Sequence, residues 1–336
     1  MLLIHYFNMS HFKRNSQFYT EMKYFLYGET VLYVIDTLNM LLYIWVLFSA
    51  AQFHYNFNLI SGAQYVIHFL DNLVILGMRI HWILGYEEED FSPLSDPLCY
   101  WLMTISIYCI TAAMCTLPFF VLERCFATFY LKDYEKNQRR HISYLLVILL
   151  NVIGAFGAVV LQNKDNTLYI VIGLVVPNVL AVTLNLFLKI WNKRKYDECQ
   201  NTDFRGKGNY TLAKRFQVTE NLKSLKMLHT IVFYMGFMNV LLVACVLISS
   251  LSLSPEHQAI CSFILDFSIF LYSFMLPQIM TCFCKRWKTQ TNVFKERIGC
   301  RRKKPSSVNP MKEARPRGNE EMDAYFDQLR STWERE

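Results

Sequence analysis

A chain of 336 residues that is 53% hydrophobic, 15% aromatic and only 18% charged has exchanged charge for apolar surface, since soluble domains carry about a quarter charged residues. Uncharged runs of about 20 residues recur along it, each long enough to cross a hydrocarbon core about 30 Å thick. This argues against a water-soluble enzyme and excludes collagen, disorder throughout and a disulfide scaffold. The net charge of +7 reports membrane orientation rather than nucleic acid, because Lys and Arg are retained on the cytoplasmic side of membrane proteins.

Taken in chain order, the apolar runs predict an all-α membrane protein, a seven-transmembrane helix bundle. An N-terminal segment, 1–30, precedes it. Its first ten residues, MLLIHYFNMS, have too short an apolar core for a signal peptide, so the first span is expected to serve as the internal targeting signal. The bundle covers 31–283, with spans at about 31–51, 59–85, 98–123, 142–162, 168–191, 227–253 and 256–283. The loops after spans three and five and the tail hold 28 of the 34 lysines and arginines, whereas the loop between spans two and three, YEEEDFSPLSDP, is acidic. The N-terminus is therefore expected outside and the tail in the cytoplasm. Asn8, in the sequon Asn8-Met9-Ser10, then lies on the side where glycosylation occurs. Before span six, Leu212, Phe216, Leu222 and Leu225 fall at near-helical spacing, so that helix is expected to extend into the cytosol. The tail, 284–336, opens with an amphipathic stretch at 285–298 whose apolar stripe is Trp287, Thr291, Phe294 and Ile298, the pattern of a helix lying on the inner leaflet. The polybasic cluster Arg301-Arg302-Lys303-Lys304 suits anionic membrane lipid, and the flanking Cys282 and Cys284 are candidates for palmitoylation.

Charges inside a membrane are costly unless paired or hydrated, and each is a candidate for function. Asp36 and Arg79 lie at matched depth below the expected outer ends of spans one and two and are expected to pair. Asp71 and Asp266 lie near mid-membrane, where two carboxylates sharing a dry site would not both ionise. Glu123-Arg124 closes span three at the cytoplasmic border. Pro177 and Pro277 supply kinks in spans five and seven.

Glu123-Arg124 is similar to the Asp/Glu-Arg switch of seven-helix G-protein-coupled receptors, although Cys125 stands where the rhodopsin-like class carries an aromatic. Leu276-Pro277-Gln278-Ile279-Met280 also lacks the Asn and Tyr of that class's span-seven motif. A closer resemblance comes from Glu123-Arg124-Cys125-Phe126-Ala127-Thr128, followed by Asp133-Tyr134-Glu135 and Arg139-Arg140. This stretch resembles the signature of the nematode serpentine chemoreceptors of class e (Sre). The resemblance implies a chemosensory receptor in the plasma membrane of sensory neurons, with a small-molecule ligand and a heterotrimeric G protein as partners. On that reading the ligand sits in the outer half of the bundle and the G protein meets the cytoplasmic ends of spans three, five and six, with Glu123 and Arg124 as the switch.

Catalytic readings find no support. GxSxG, HExxH and a phosphate-binding glycine loop are missing, and the eight histidines form no clustered boxes. His68 and Asp71, three apart, read as packing. Span seven has no lysine, so retinal cannot be held as a Schiff base there. Ten cysteines without a CxxC pair give no metal-binding spacing, and neither metal nor cofactor is expected. The alternative of a small-molecule transporter or ion channel would favour paired halves broken at matching places, which the prolines of spans five and seven do not supply.

Overall fold

The computed structural model describes residues 17–49, 55–85, 96–129, 139–161, 166–204, 212–249, 251 and 254–297. The chain divides into two compact units, 1–292 and 293–336. Of the second, only the end of the last helix is described. The described residues form eight helices and no strand: α1 (Gln17–Ser49), α2 (Tyr55–Gly85), α3 (Pro97–Phe129), α4 (Arg140–Leu161), α5 (Thr167–Phe204), α6 (Leu212–Ser249), α7 (Pro255–Phe283) and α8 (Lys285–Arg297). Among the described residues, α1 to α7 are long and apolar enough to cross a membrane.

The helices close into a ring in which α1 packs on α2 and α7, α2 on α4, α4 on α5, α5 on α6 and α6 on α7. α3 stands at the centre, touching α2, α4, α5 and α6. Its most apolar stretch is 78% buried, against 28% for α5 at the rim. Leu145, Ile148, Val152, Phe156 and Val159 of α4, and Ile172, Val176, Val179 and Phe187 of α5, are exposed. Apolar faces of this extent suit lipid, where a helix satisfies its own backbone hydrogen bonds.

Close packing of α3 and α4 depends on two glycines. A Cβ at Gly157 would lie 2.3 Å from Thr111 Cγ2, and one at Gly154 would lie 2.9 Å from Ala112 Cβ. Small residues at such contacts let backbones approach. The Thr111 hydroxyl donates to the Ile107 carbonyl at 2.8 Å, which holds its rotamer and prevents easy retreat. Gly157→Val is therefore expected to cost about 1–3 kcal/mol through overpacking. An unchanged thermal unfolding midpoint of the purified protein would contradict this.

Helix ends follow local chemistry. At α7, Ser254 is the N-cap, Pro255 occupies the first turn and Glu256 complements the dipole. Cys284 leaves helical geometry and separates α7 from α8. Pro118, Pro177 and Pro277 all lie inside helices, and Pro118 was not anticipated. α1 begins at Gln17, well before the expected boundary at 31, and α6 begins at Leu212, as its apolar spacing suggests. Helix α8 also forms as expected, but its stripe does not simply face lipid. Trp287 is fully buried, its ring 6.3 Å from both Tyr43 and Tyr65, and Thr291 is buried too. An amphipathic pattern requires an apolar partner without specifying it, and at Trp287 that partner is protein.

Candidate functional site

The bundle interior carries polar side chains in layers. The first lies at the entry end, where α1, α3, α5 and α7 begin. Arg79 of α2 donates through Nη2 to Glu29 of α1 at 3.0 Å and to Asp266 of α7. The three side chains are 3%, 9% and 2% exposed, so this is a buried triad with one carboxylate more than it has cations. The Tyr33 hydroxyl donates to the Asp266 backbone carbonyl at 2.8 Å.

Asp36 does not pair with Arg79. Its carboxylate accepts from Asn72 at 2.9 Å, from Ser273 and from Asn39 at 3.5 Å. The reason is depth. With α1 starting at Gln17, Glu29 comes level with Arg79, while Asp36, seven residues further on, lies about 10 Å along the helix. Asn72 precedes Arg79 by the same seven residues and meets Asp36 there. Asp71 accepts from Ser106 at 2.7 Å, and Asp266 accepts from Arg79. His68 packs its ring 5.2 Å from Tyr272, consistent with a packing role.

From Asp36 the polar contacts continue along α1 and α7. Gln278 donates to Asn39 at 3.2 Å and accepts from Tyr43 at 3.0 Å, and the Tyr43 ring meets Trp287 of α8. A continuous path thus runs from the middle of the bundle to α8.

A narrow crevice with a cavity volume of about 20 Å³, partly open at the surface, lies between α3, α4, α5 and α6. Ile110, Thr111, Met114, Leu161, Leu174 and Val246 are among its lining residues. Most of the wall is aliphatic, which suits an apolar group, and the space in this packing is that of about one water-sized group. Met114 also marks where polar contacts resume. Its carbonyl accepts from Asn178 of α5 at 3.2 Å and from Asn239 of α6 at 3.1 Å, and Asn239 donates to Asn178 at 2.9 Å. One backbone carbonyl thereby joins three helices beside the cleft.

At the far end of α3, Arg124 donates to both carboxylate oxygens of Glu123, one contact measuring 2.7 Å. Its guanidinium lies 5.1 Å from the centre of the Phe57 ring. Glu123 is fully buried and the Arg124 side chain is 8% exposed. Neighbouring residues on a helix do not normally face each other, so the long arginine side chain folds back to make this pair. Beside it, Asn192 of α5 donates to Thr128 at 3.4 Å. Cys282 is exposed, whereas Cys284 is buried, with its thiol donating to Met227 Sδ at 3.7 Å and burial pushing its pKa up to about 12. Asn8 and the cluster at 301–304 lie outside the described residues.

The family profile of the Sre G protein-coupled chemoreceptors matches residues 2–334. The chain belongs to the Sre family. It is 57% identical over 340 residues to Serpentine receptor class epsilon-12 of Caenorhabditis elegans, covering 99% of each chain. Similarity also extends to class epsilon-37 of the same organism, 27% identical over 331 residues (91% of this chain, 90% of the relative), and to class epsilon-13, 25% identical over 273 residues (81% and 74%). This Sre chain is accordingly an integral membrane protein of a receptor family, not of an enzyme family.

Three buried polar residues of this Sre chain, Glu29, Asn178 and Asn239, carry little signal in the sequence. Glu29 lay outside the expected first span, although Met22, Leu26, Glu29, Tyr33, Asp36, Met40 and Tyr43 form one buried stripe at steps of three and four. Extending that stripe backward would have found it. Asn178 and Asn239 are uncharged and sit inside apolar runs, where hydropathy gives no signal.

Proposed function

We propose that this chain is a chemosensory receptor of the plasma membrane of sensory neurons, with its N-terminus outside and its tail in the cytoplasm. It binds a small, largely apolar molecule that parts α3, α4, α5 and α6 at the narrow crevice between them, in the outer half of the bundle. Ligand binding favours one packing of these helices over another, and the cytoplasmic ends of α3, α5 and α6 then activate a heterotrimeric G protein. The observation that carries this reading is the placement of Met114, which lines the cleft and whose carbonyl ties α5 and α6 to α3. A ligand pressing on Met114 acts directly on the contact that sets the spacing of the three helices assigned to G-protein coupling.

The test is a panel of small volatile molecules applied to cells carrying the receptor and a promiscuous G protein. Ile110→Trp and Val246→Trp, which fill the cleft, are expected to weaken the response at least about tenfold at equal surface level, an effect of about 1.4 kcal/mol or more. Unaltered potency in both variants would reject this cleft as the ligand site. A transporter or channel would instead show flux or current without a G-protein signal.

Membrane anchoring belongs to the same reading. Cys282 is exposed beside a basic helix and is the expected site of palmitoylation, while burial withholds Cys284. Acyl-exchange labelling should disappear in Cys282→Ser and persist in Cys284→Ser. The opposite pattern would contradict the assignment.

A further inference from the structure

His81 near the end of α2, Asp96 just before α3 and Cys99 in its first turn bring an imidazole nitrogen, a carboxylate oxygen and a sulfur within 4.8 Å of one another. His81 Nε2 and Asp96 Oδ2 are already in contact. The other carboxylate oxygen accepts from the Leu98 backbone N–H at 2.9 Å, which fixes the orientation of Asp96 at the helix start. That backbone contact is the main cause holding the Asp96 carboxyl below its usual range, with His81 contributing.

We propose that His81, Asp96 and Cys99 form a binding site for Zn²⁺ that ties α2 to the beginning of α3. The donor set selects the metal. Thiolate and imidazole ligands suit zinc, whereas Ca²⁺ and Mg²⁺ require oxygen donors. Three protein ligands leave one tetrahedral position open, which water or a donor atom of an incoming molecule occupies. The side chains of His81 and Asp96 are 30% and 22% exposed, so an ion can reach them from the surface of the bundle, while Cys99 is buried at 1% and closes the site from beneath. On binding, the Cys99 thiol gives up its proton to solvent, and the metal takes the place between His81 Nε2 and Asp96 Oδ2 that their hydrogen bond fills without it. Asp96 and Cys99 are three residues apart and share one turn, and α2 brings His81 to them from 15 residues earlier in the chain. The site is distinct from the apolar cleft and does not depend on the ligand assigned to it.

The test uses the full chain purified in lipid nanodiscs, stripped with a chelator, kept reduced and titrated with Co²⁺ as a spectroscopic stand-in. The expected result is a thiolate-to-cobalt charge-transfer absorption in the near-ultraviolet that saturates at one equivalent and is displaced by Zn²⁺. Zn²⁺ should also raise the thermal unfolding midpoint, as any ligand selective for the folded state does. Cys99→Ser should abolish the band, His81→Ala should weaken Zn²⁺ binding at least about tenfold, and Cys261→Ser should leave both unchanged. A wild-type protein without the band would overturn the proposal, as would a band that survives Cys99→Ser. Should Cys99→Ser fail to fold, the wild-type titration and His81→Ala decide the matter alone.

Discussion

Arg79→Met is expected to remove the receptor from the cell surface. The substitution leaves Glu29 and Asp266 facing each other in a site less than a tenth exposed, without the cation both now contact. Breaking a buried ion pair by deleting one partner costs about 3–5 kcal/mol, because the remaining charge is left without compensation. That is a large share of the roughly 5–15 kcal/mol by which folded proteins exceed their unfolded states. Restoring neutrality should reverse much of the loss, so Glu29→Gln, Arg79→Met and Asp266→Asn combined should reach the surface better than Arg79→Met alone. Asp36→Asn should cost less, since its partners Asn72, Ser273 and Asn39 are all neutral and remain able to bond an amide. In a double-mutant cycle read by surface labelling, Arg79 should couple to Asp266 and not to Asp36. Strong coupling of Arg79 to Asp36 would overturn this assignment of partners.

The second large effect concerns signalling. Glu123→Gln removes the carboxylate that both Arg124 contacts reach while keeping the side chain's size, and it should raise ligand-independent G-protein activity. A loss of about 1–2 kcal/mol from the resting state shifts a two-state population about five- to thirtyfold. Arginine suits such a role because it stays charged and offers several donors in a fixed fork, so it can exchange one acceptor for another. Arg124→Ala alone would strand a fully buried Glu123, which mixes a folding defect with a signalling defect. The informative variant is therefore Glu123→Gln with Arg124→Gln, which should reach the surface and remain silent toward ligand. Full signalling from that variant at normal surface level would end the switch account.

How far the sequence revealed these features depended on the kind of signal each left. Spans two to seven were legible to within a few residues in their apolar cores because sustained high hydropathy, despite single charges such as Asp71, Arg79 and Asp266, reports burial in lipid directly. The first was not, since Glu21, Lys23 and Glu29 interrupt the run and pushed its expected start to 31. That single boundary moved Asp36 into apparent register with Arg79 and hid Glu29, so an error of depth became an error of pairing. Glu123-Arg124 was visible because two charges at a span end are conspicuous. The join of Asn178 and Asn239 at Met114 was not, because it depends on which faces of three distant helices meet. For α8, the stripe containing Trp287 showed that an apolar surface was needed, but only the fold identifies Tyr43 and Tyr65 as its cover. Likewise Gly157 marked nothing in the sequence until Thr111 was found opposite it.

On the function proposed above, a small molecule bound at the crevice drives nucleotide exchange on a G protein through this bundle. The most direct measurement is agonist-stimulated GTP-analogue loading of purified heterotrimeric G protein by the full chain in nanodiscs, screened against small volatile molecules. At least one compound should accelerate loading, with the acceleration reduced by Ile110→Trp and absent in the Glu123→Gln, Arg124→Gln variant. A compound that binds and is carried across sealed vesicles while loading stays at its basal rate with every G protein tried would contradict the proposed function.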